Sequence, residues 1–356
     1  MRNAFINELS RLAASDEKIF LLTGDLGFGV LDGFQRDYPE RFINAGVAEQ
    51  NMTAVAAGLA LEGKTVFTYS IGNFSTLRCI EQIRNCVAYH GANVKIISIG
   101  AGLAYGALGV THQSTEDLAM MRALPNMIVL SPSDAHEAVA IARAVCKIKA
   151  PCYIRLGKGR EPAIHSGALD EYEIGRALKI FDGDDAVIFS TGAISIEAFR
   201  AAEELRARGL SVGLYTFPTV KPIDREVIES CARRCRLIVT VEEHNIVGGF
   251  GSAVAEIISE LDGRTATLKR IGLRDEFASI VGSQNYLRQK YHLTREDIFA
   301  LVAIVFTGET IRAINLVIGS LKIFFGFIFF CDLLRFCRGI FFGARQIFYF
   351  STEVIE

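Results

Sequence analysis

Short aliphatic runs, apolar on both faces and alternating with helix-patterned stretches, constrain this chain more than any other feature. Residues 19–23, 65–69, 94–99, 127–130 and 152–156 read as strands of a covered parallel sheet. Between them the pattern predicts helices over 53–61, 76–89, 115–123 and 135–146. Such alternation specifies a doubly wound α/β domain whose ligand site lies outside the carboxyl ends of the strands. Gly24 and Asp25, residues 70–74 and residues 100–112 fall at those ends. A polar connector over 158–173, with Pro162, Ser166 and Gly167, then separates a second α/β cycle. Its expected strands are 186–190, 212–217, 237–241 and 267–271, and its helices 195–208, 224–233 and 252–260. Thr294, followed by Glu296 and Asp297, predicts the start of a last helix. The fold class expected is α/β with two doubly wound domains, over 1–160 and 175–305.

The final stretch, 306–356, breaks this pattern. Eleven of the 25 phenylalanines fall in 304–356, and Lys322 is the only charge between Ala313 and Cys331. That length permits a membrane span. Arg335, Arg338 and Arg345 beyond it oppose the positive-inside tendency, and caps and turns are missing, so a non-native extension is the preferred reading over an anchor.

A net charge of -2 gives no electrostatic case for nucleic acid, and there is no basic stripe with interleaved aromatics. Eight cysteines without a CxxC pair read as reduced thiols of a cytoplasmic protein, not as a disulfide framework or zinc site. The N-terminal segment carries Glu8, Asp16 and Glu17 and reads as an amphipathic helix, not a signal peptide.

Within the first domain, residues 43–58 (INAGVAEQNMTAVAAG) join a short apolar run to a helix rich in small residues. Glu49 sits at the junction. Its neighbours Val47, Ala48 and Met52 offer no cation, and desolvation disfavours a buried carboxylate. It reads either as a proton-sharing catalytic acid or as a first-turn carboxylate facing the helix N-terminus. The run Gly100-Ala-Gly102-Leu-Ala-Tyr-Gly106 has the wrong spacing for a dinucleotide loop and reads as a mobile loop delivering His112, which by itself reads equally as a structural or a functional histidine. Gly248, Gly249 and Gly251 read as tight strand–turn–helix packing more than as an anion site. Glu242, Glu243 and His244 before them read as surface or interface groups, and Cys231 and Cys235 lack further metal ligands.

Taken together, TGDLG (23–27), INAGVAEQNM (43–52), YSIGNFSTLRCIEQIRN (69–85), THQSTEDLAMMRALPNMIVLSPSD (111–134) and VEEHNIVGGFGSAVAE (241–256) resemble the transketolase family of thiamine-diphosphate enzymes. The resemblance spans residues 1–303 and looks like the C-terminal half of a transketolase: pyrimidine-binding domain, then transketolase C-terminal domain. It implies that Glu49 shares a proton with the cofactor's aminopyrimidine, activating the thiazolium carbon as nucleophile and electron sink. Phe74 is the best match for the aromatic that stacks on the pyrimidine, with Ser75 aligning equally when counted back from Gln82. Arg78 matches an arginine of the deoxyxylulose-phosphate synthase branch, and Asp25 an aspartate near the thiazolium. His112 matches a substrate-binding histidine, with Gln113 beside it, and Arg155 an arginine that contacts the substrate's phosphate. Ala48, Ala54, Ala56, Ala57 and Gly58 fit a helix pressed against a partner chain.

Two positions depart from the family pattern: Leu108 stands where it has an acid that reads a sugar hydroxyl, and Ile99-Gly100 where it has a phosphate-side basic residue. Nothing matches the diphosphate half with its magnesium ligands. The resemblance therefore implies either a fragment or one subunit of a split enzyme; the reading taken is the subunit, in an enzyme that transfers a two-carbon ketol unit between ketose and aldose substrates. Thiamine diphosphate would be shared with an N-terminal transketolase subunit that holds Mg2+, in a two-fold assembly containing two copies of each chain. The β subunit of a 2-oxo-acid dehydrogenase, which shares the Ala-Glu-Gln junction, and a non-catalytic assembly subunit are the alternatives. The His112 run and YHLTRED (291–297) favour transketolase over the first.

Overall fold

The computed structural model describes residues 1–307, so the tail expected over 306–356 lies almost wholly outside the described residues. The strands are β1 (Ile19–Thr23), β2 (Phe42–Asn44), β3 (Thr65–Ile71), β4 (Val94–Ile99), β5 (Ile128–Leu130) and β6 (Cys152–Leu156). They continue with β7 (Leu178–Phe181), β8 (Ala186–Ser190), β9 (Val212–Thr216), β10 (Thr219–Lys221), β11 (Leu237–Asn245) and β12 (Thr267–Leu273). The first sheet has seven strands in the order β10-β5-β6-β4-β3-β1-β2, the second five in the order β12-β11-β8-β9-β7. Pairing is parallel except at β10 with β5 and β7 with β9. Strand β10 thus comes from the second half of the chain yet completes the first sheet.

Burial on both faces explains the apolar strands. Leu21, Phe67, Ile97 and Ile154 share one face, covered by the helices Arg2–Ala13 and Ala135–Cys146; Leu22, Val66, Ile96 and Tyr153 share the other. Each fully buried aliphatic or Phe side chain contributes ~1.5–3 kcal/mol of transfer free energy. Lys95 is the exception within β4. Burial lowers its proton affinity, and its ammonium donates to the carbonyls of Ile148 and Ala150 at 3.1 and 2.6 Å.

The helix predicted over 76–89 is broken. Short turns at Gly72–Ser75, Leu77–Cys79 and Ile80–Gln82 lead into a wide-turn segment at Ile83–Ala88. Thr76 leaves helical geometry (φ -120°, ψ -83°), and its hydroxyl donates back to the Gly72 carbonyl at 2.6 Å, satisfying a group that a regular turn would bond. The last helix, Arg295–Thr307, opens as expected, with Thr294 Oγ1 donating to Asp297 Oδ2 at 2.6 Å.

A buried polar seam joins the two sheets. Glu242, Glu243 and His244, expected as surface or interface groups, are 0%, 4% and 0% exposed on the long strand β11. The Glu242 carboxylate accepts the N–H groups of Phe250 and Gly251 at 2.6 and 2.8 Å, so the anion seat at this helix N-terminus holds the chain's own carboxylate. Burial pushes the Glu242 carboxyl up to about 7, against those two donors. Burial also pushes His244 down to about 4, against Asp117. With its Nδ1 2.6 Å from the Asn245 carbonyl, His244 is read as the tautomer protonated there.

These shifts oppose one another. Glu242 is raised from 4.5, so its favourable contribution is full below that value and is lost as pH climbs through about 7. His244 is lowered from 6.5, so its contribution is full above that value and is lost as pH falls through about 4. Removing the histidine should unmask the carboxyl. In His244→Asn, unfolding stability should fall by roughly 2 kcal/mol more than in the wild type between pH 5 and 7. Urea midpoints measured across that range check this, and parallel pH profiles for the two proteins would refute it.

Candidate active site

The chain reverses its direction of travel across the first sheet at β1, which has β2 on one side and β3 on the other. The crevice outside the carboxyl ends of β1 and β3 is therefore the expected ligand site. Asn44, ending β2, ties this edge together: its Oδ1 accepts from Asp25 N and Gly46 N at 3.0 Å, and its Nδ2 donates to Asp25 Oδ1 at 3.0 Å. Asp25 is exposed in the left-handed region (φ 58°).

Glu49 is the first residue of the helix Glu49–Leu61, with its side chain 1% exposed. Gly24 packs closely against it, since a Cβ there would lie 3.1 Å from Glu49 Cγ. The expectation of a carboxylate without a cation is corrected by the structure: Arg78 Nη1 donates to Glu49 Oε2 at 2.7 Å. The pair spans 29 residues of sequence, and Gln50 Nε2 reinforces it by donating to the Arg78 carbonyl at 2.9 Å. The same guanidinium lies 4.5 Å from the centroid of the Phe74 ring. Arg78 thus connects the buried carboxylate to an aromatic face.

Phe74 meets His112 edge to face, with ring centroids 5.2 Å apart, and Tyr105 meets His112 in the same manner at 6.5 Å. Lys158 Nζ sits 4.8 Å from the Tyr105 centroid. Asn73 Nδ2 donates to the Thr111 carbonyl at 2.7 Å, fastening the two loops that carry Phe74 and His112. Ser75, the alternative in the stacking register, is instead buried, its hydroxyl donating to the Ile71 carbonyl at 3.2 Å. Glu49, Arg78, Phe74 and His112 therefore form one linked series.

Other expected site residues separate from it. Arg155 is 2% exposed and committed inside the seam: Nε donates to Asp117 Oδ2 at 2.6 Å, and Nη2 to the carbonyls of Ser114 and Glu243 at 2.9 and 3.0 Å. Burial works against the charge on both partners, yet Arg155 holds the Asp117 carboxyl below the usual range. In this geometry Nε and Nη2 of Arg155 are engaged by the chain's own acceptors. Gln113 is buried, and its amide atoms have no hydrogen-bond partner among the described residues. Leu108 is 55% exposed. Of the small residues after the junction, Ala56 and Ala57 are spent in the chain's own core, while Ala48, Ala54 and Gly58 are exposed.

Tyr105, Lys158, Asn73 and Asn44 were not singled out by sequence reasoning. The glycines around Tyr105 marked its loop, but no local signal marked the ring.

Comparison with known proteins agrees with this architecture. Residues 1–162 match the model of the transketolase pyrimidine-binding domain, and residues 175–298 that of the transketolase C-terminal domain. A putative transketolase C-terminal section of Methanocaldococcus jannaschii is 40% identical over 300 residues, covering 84% of this chain and 93% of that protein. A 6-deoxy-6-sulfo-D-fructose transketolase subunit of Clostridium sp. is 37% identical over 300 residues, covering 84% of this chain and 92% of its own. Among solved structures, a split-gene transketolase described as an inactive beta4 tetramer superposes with a TM-score of 0.76 at 38% identity, over 85% of this chain and 96% of that one. With both domain models matched in order and close relatives covered almost end to end, the chain belongs to the transketolase family.

Proposed function

We propose that this chain is the pyrimidine-side subunit of a split transketolase, working in the cytosol with an N-terminal partner to move a two-carbon ketol unit from a ketose to an aldose. In this reading residues 1–160 form the pyrimidine-binding domain and 175–305 the C-terminal domain. The observation that carries it is the buried Glu49 carboxylate, linked to the Phe74 ring through a flat guanidinium. A planar N–C–N group that donates to a carboxylate while lying on an aromatic ring is also what an aminopyrimidine presents. The residues therefore fit that half of thiamine diphosphate. The two domain models matched by this chain, over 1–162 and 175–298, are the pyrimidine-binding and C-terminal ones. The diphosphate and its Mg2+, which need hard oxygen ligands, are accordingly assigned to the partner.

When bound, thiamine diphosphate supplies a nucleophilic carbon and an electron sink. This chain's residues act on the pyrimidine and the substrate. Glu49 holds and returns a proton at the pyrimidine edge from a site closed to water. Phe74 fixes the plane of the ring, and Arg78, 43% exposed, closes the solvent side. His112, held between Phe74 and Tyr105, orients a substrate hydroxyl, while Asp25 faces the crevice from the end of β1. Relatives named as a putative transketolase C-terminal section and as a transketolase subunit favour this reading over a 2-oxo-acid dehydrogenase.

The test is reconstitution. By calorimetry, the chain alone should show no tight magnesium-dependent binding of thiamine diphosphate and no ketol transfer. Both should appear on mixing with an N-terminal transketolase subunit. Tight cofactor binding by the isolated chain would overturn the split-site reading.

A further inference from the structure

The loop that carries Tyr105 and His112 begins at Gly102 and ends at Ser114, and backbone pairing closes its neck. Gly102 N donates to the Ser114 carbonyl at 2.9 Å, and Ser114 N to the Gly102 carbonyl at 3.0 Å. Beyond this neck the loop holds short turns at Gly106–Leu108 and Val110–His112, with Leu108 and Val110 exposed. Asn73 fastens the far side of the loop at the Thr111 carbonyl, and the neck is held separately.

What grips the neck is Glu243, a buried residue of β11 in the other sheet. Its Oε1 accepts the Leu103 N–H at 2.7 Å and the Gln284 amide at 2.8 Å, while Arg288 Nε donates to Oε2. Its main-chain carbonyl accepts Arg155 Nη2 at 3.0 Å, and that nitrogen also reaches the Ser114 carbonyl at 2.9 Å. One residue thereby holds both sides of the neck, directly at Leu103 and through Arg155 at Ser114. Gly102 makes the approach possible. It adopts φ +59°, and a Cβ there would lie 2.6 Å from both the carbonyl oxygen and Oε1 of Glu243.

We infer that Glu243 is a positioning residue: the second half of the chain uses it to fix the loop neck so that His112 meets Phe74. For activity this rests on the transketolase reading, whereas the loop's order can be measured without it. Hydrogen exchange on the full chain is the direct experiment. In Glu243→Ala, amides of 103–112 should exchange at least ~10-fold faster, the size expected for losing one buried bond, while peptides of β1 and β3 stay as in the wild type. Glu243→Gln, which keeps an acceptor for Leu103 but no charge for Arg288, should give a smaller rise confined to the same loop. It decides the matter if the alanine variant does not fold. With the partner subunit present, the ketose KM should rise by more than kcat falls.

Unchanged loop exchange in a folded variant, or a rise spread evenly over the chain, would overturn the inference. A wild-type assembly without ketol transfer would sink the functional reading, leaving the exchange result to stand by itself.

Discussion

In Glu49→Gln, turnover of the assembled enzyme should fall by at least ~10²-fold, the lower range for a group that moves a proton in the rate-determining chemistry. Thiamine diphosphate should remain bound. Glutamine keeps the length of the side chain and an acceptor for Arg78, so the linkage from helix to guanidinium to Phe74 can persist. What it removes is a carboxyl that can give and retake a proton. The site is dry, with Glu49 1% exposed, so bulk water is poorly placed to substitute. Steady-state kinetics together with cofactor calorimetry on the assembled variant separate the two effects. A kcat near that of the wild type would take Glu49 out of the mechanism, and loss of cofactor binding would make it a structural group.

The second large effect concerns stability. Arg155→Met should destabilise the chain by roughly 3–5 kcal/mol, the range for removing one partner of a buried ion pair. Three groups lose one donor each: Asp117, which is 1% exposed, and the carbonyls of Ser114 and Glu243. Tyr153 continues to donate to Asp117 Oδ2 at 2.5 Å but brings no charge. Adding Asp117→Asn should restore a substantial part of the loss, because the uncompensated charge then disappears. Urea unfolding of both variants gives the numbers. A loss below about 1 kcal/mol would mean that the seam relaxes or admits water. The alternative role is also testable: a phosphate ligand lost at this position would raise KM for phosphorylated substrates selectively, whereas a seam residue should affect phosphorylated and unphosphorylated donors alike.

The strands most legible in the sequence are those whose state is decided locally. β1, β4, β6 and β8 fall at the residues expected, because aliphatic side chains on both faces leave a covered parallel strand as the fitting answer. β2, β7 and β10 were not predicted. They span 3, 4 and 3 residues, and Thr219-Val220-Lys221 becomes a strand through its partner β5 and not through its own pattern. The break at Thr76 likewise depends on hydroxyl-to-carbonyl bonding that periodicity does not register.

The site divides along the same line. Glu49 and His112 stood out through their own motifs, and the family pattern pointed to Phe74 and Arg78. The Glu49–Arg78 bond and the edge contact of Tyr105 with His112 are made by folding, between residues that share no local pattern. Arg155 was pointed to by the resemblance alone, and what sequence did not register is its engagement with Asp117, 38 residues away, and with the carbonyl of Glu243, 88 away.

The placement of β10 has a consequence for how such a chain can be inherited. A gene cut within the polar connector would yield a first piece whose sheet ends on β5 with its outer edge unpaired, and a second piece carrying the strand that belongs there. The Ser131 amide would lose the Pro218 carbonyl, and Lys221 would lose the carbonyls of Arg122 and Leu124 that it reaches at 2.9 and 2.5 Å. An exposed edge of that kind invites pairing with the wrong chain. Recombination can therefore exchange the two halves only as a matched set, and the connector, despite its linker-like composition, is a poor place for evolution or an engineer to cut.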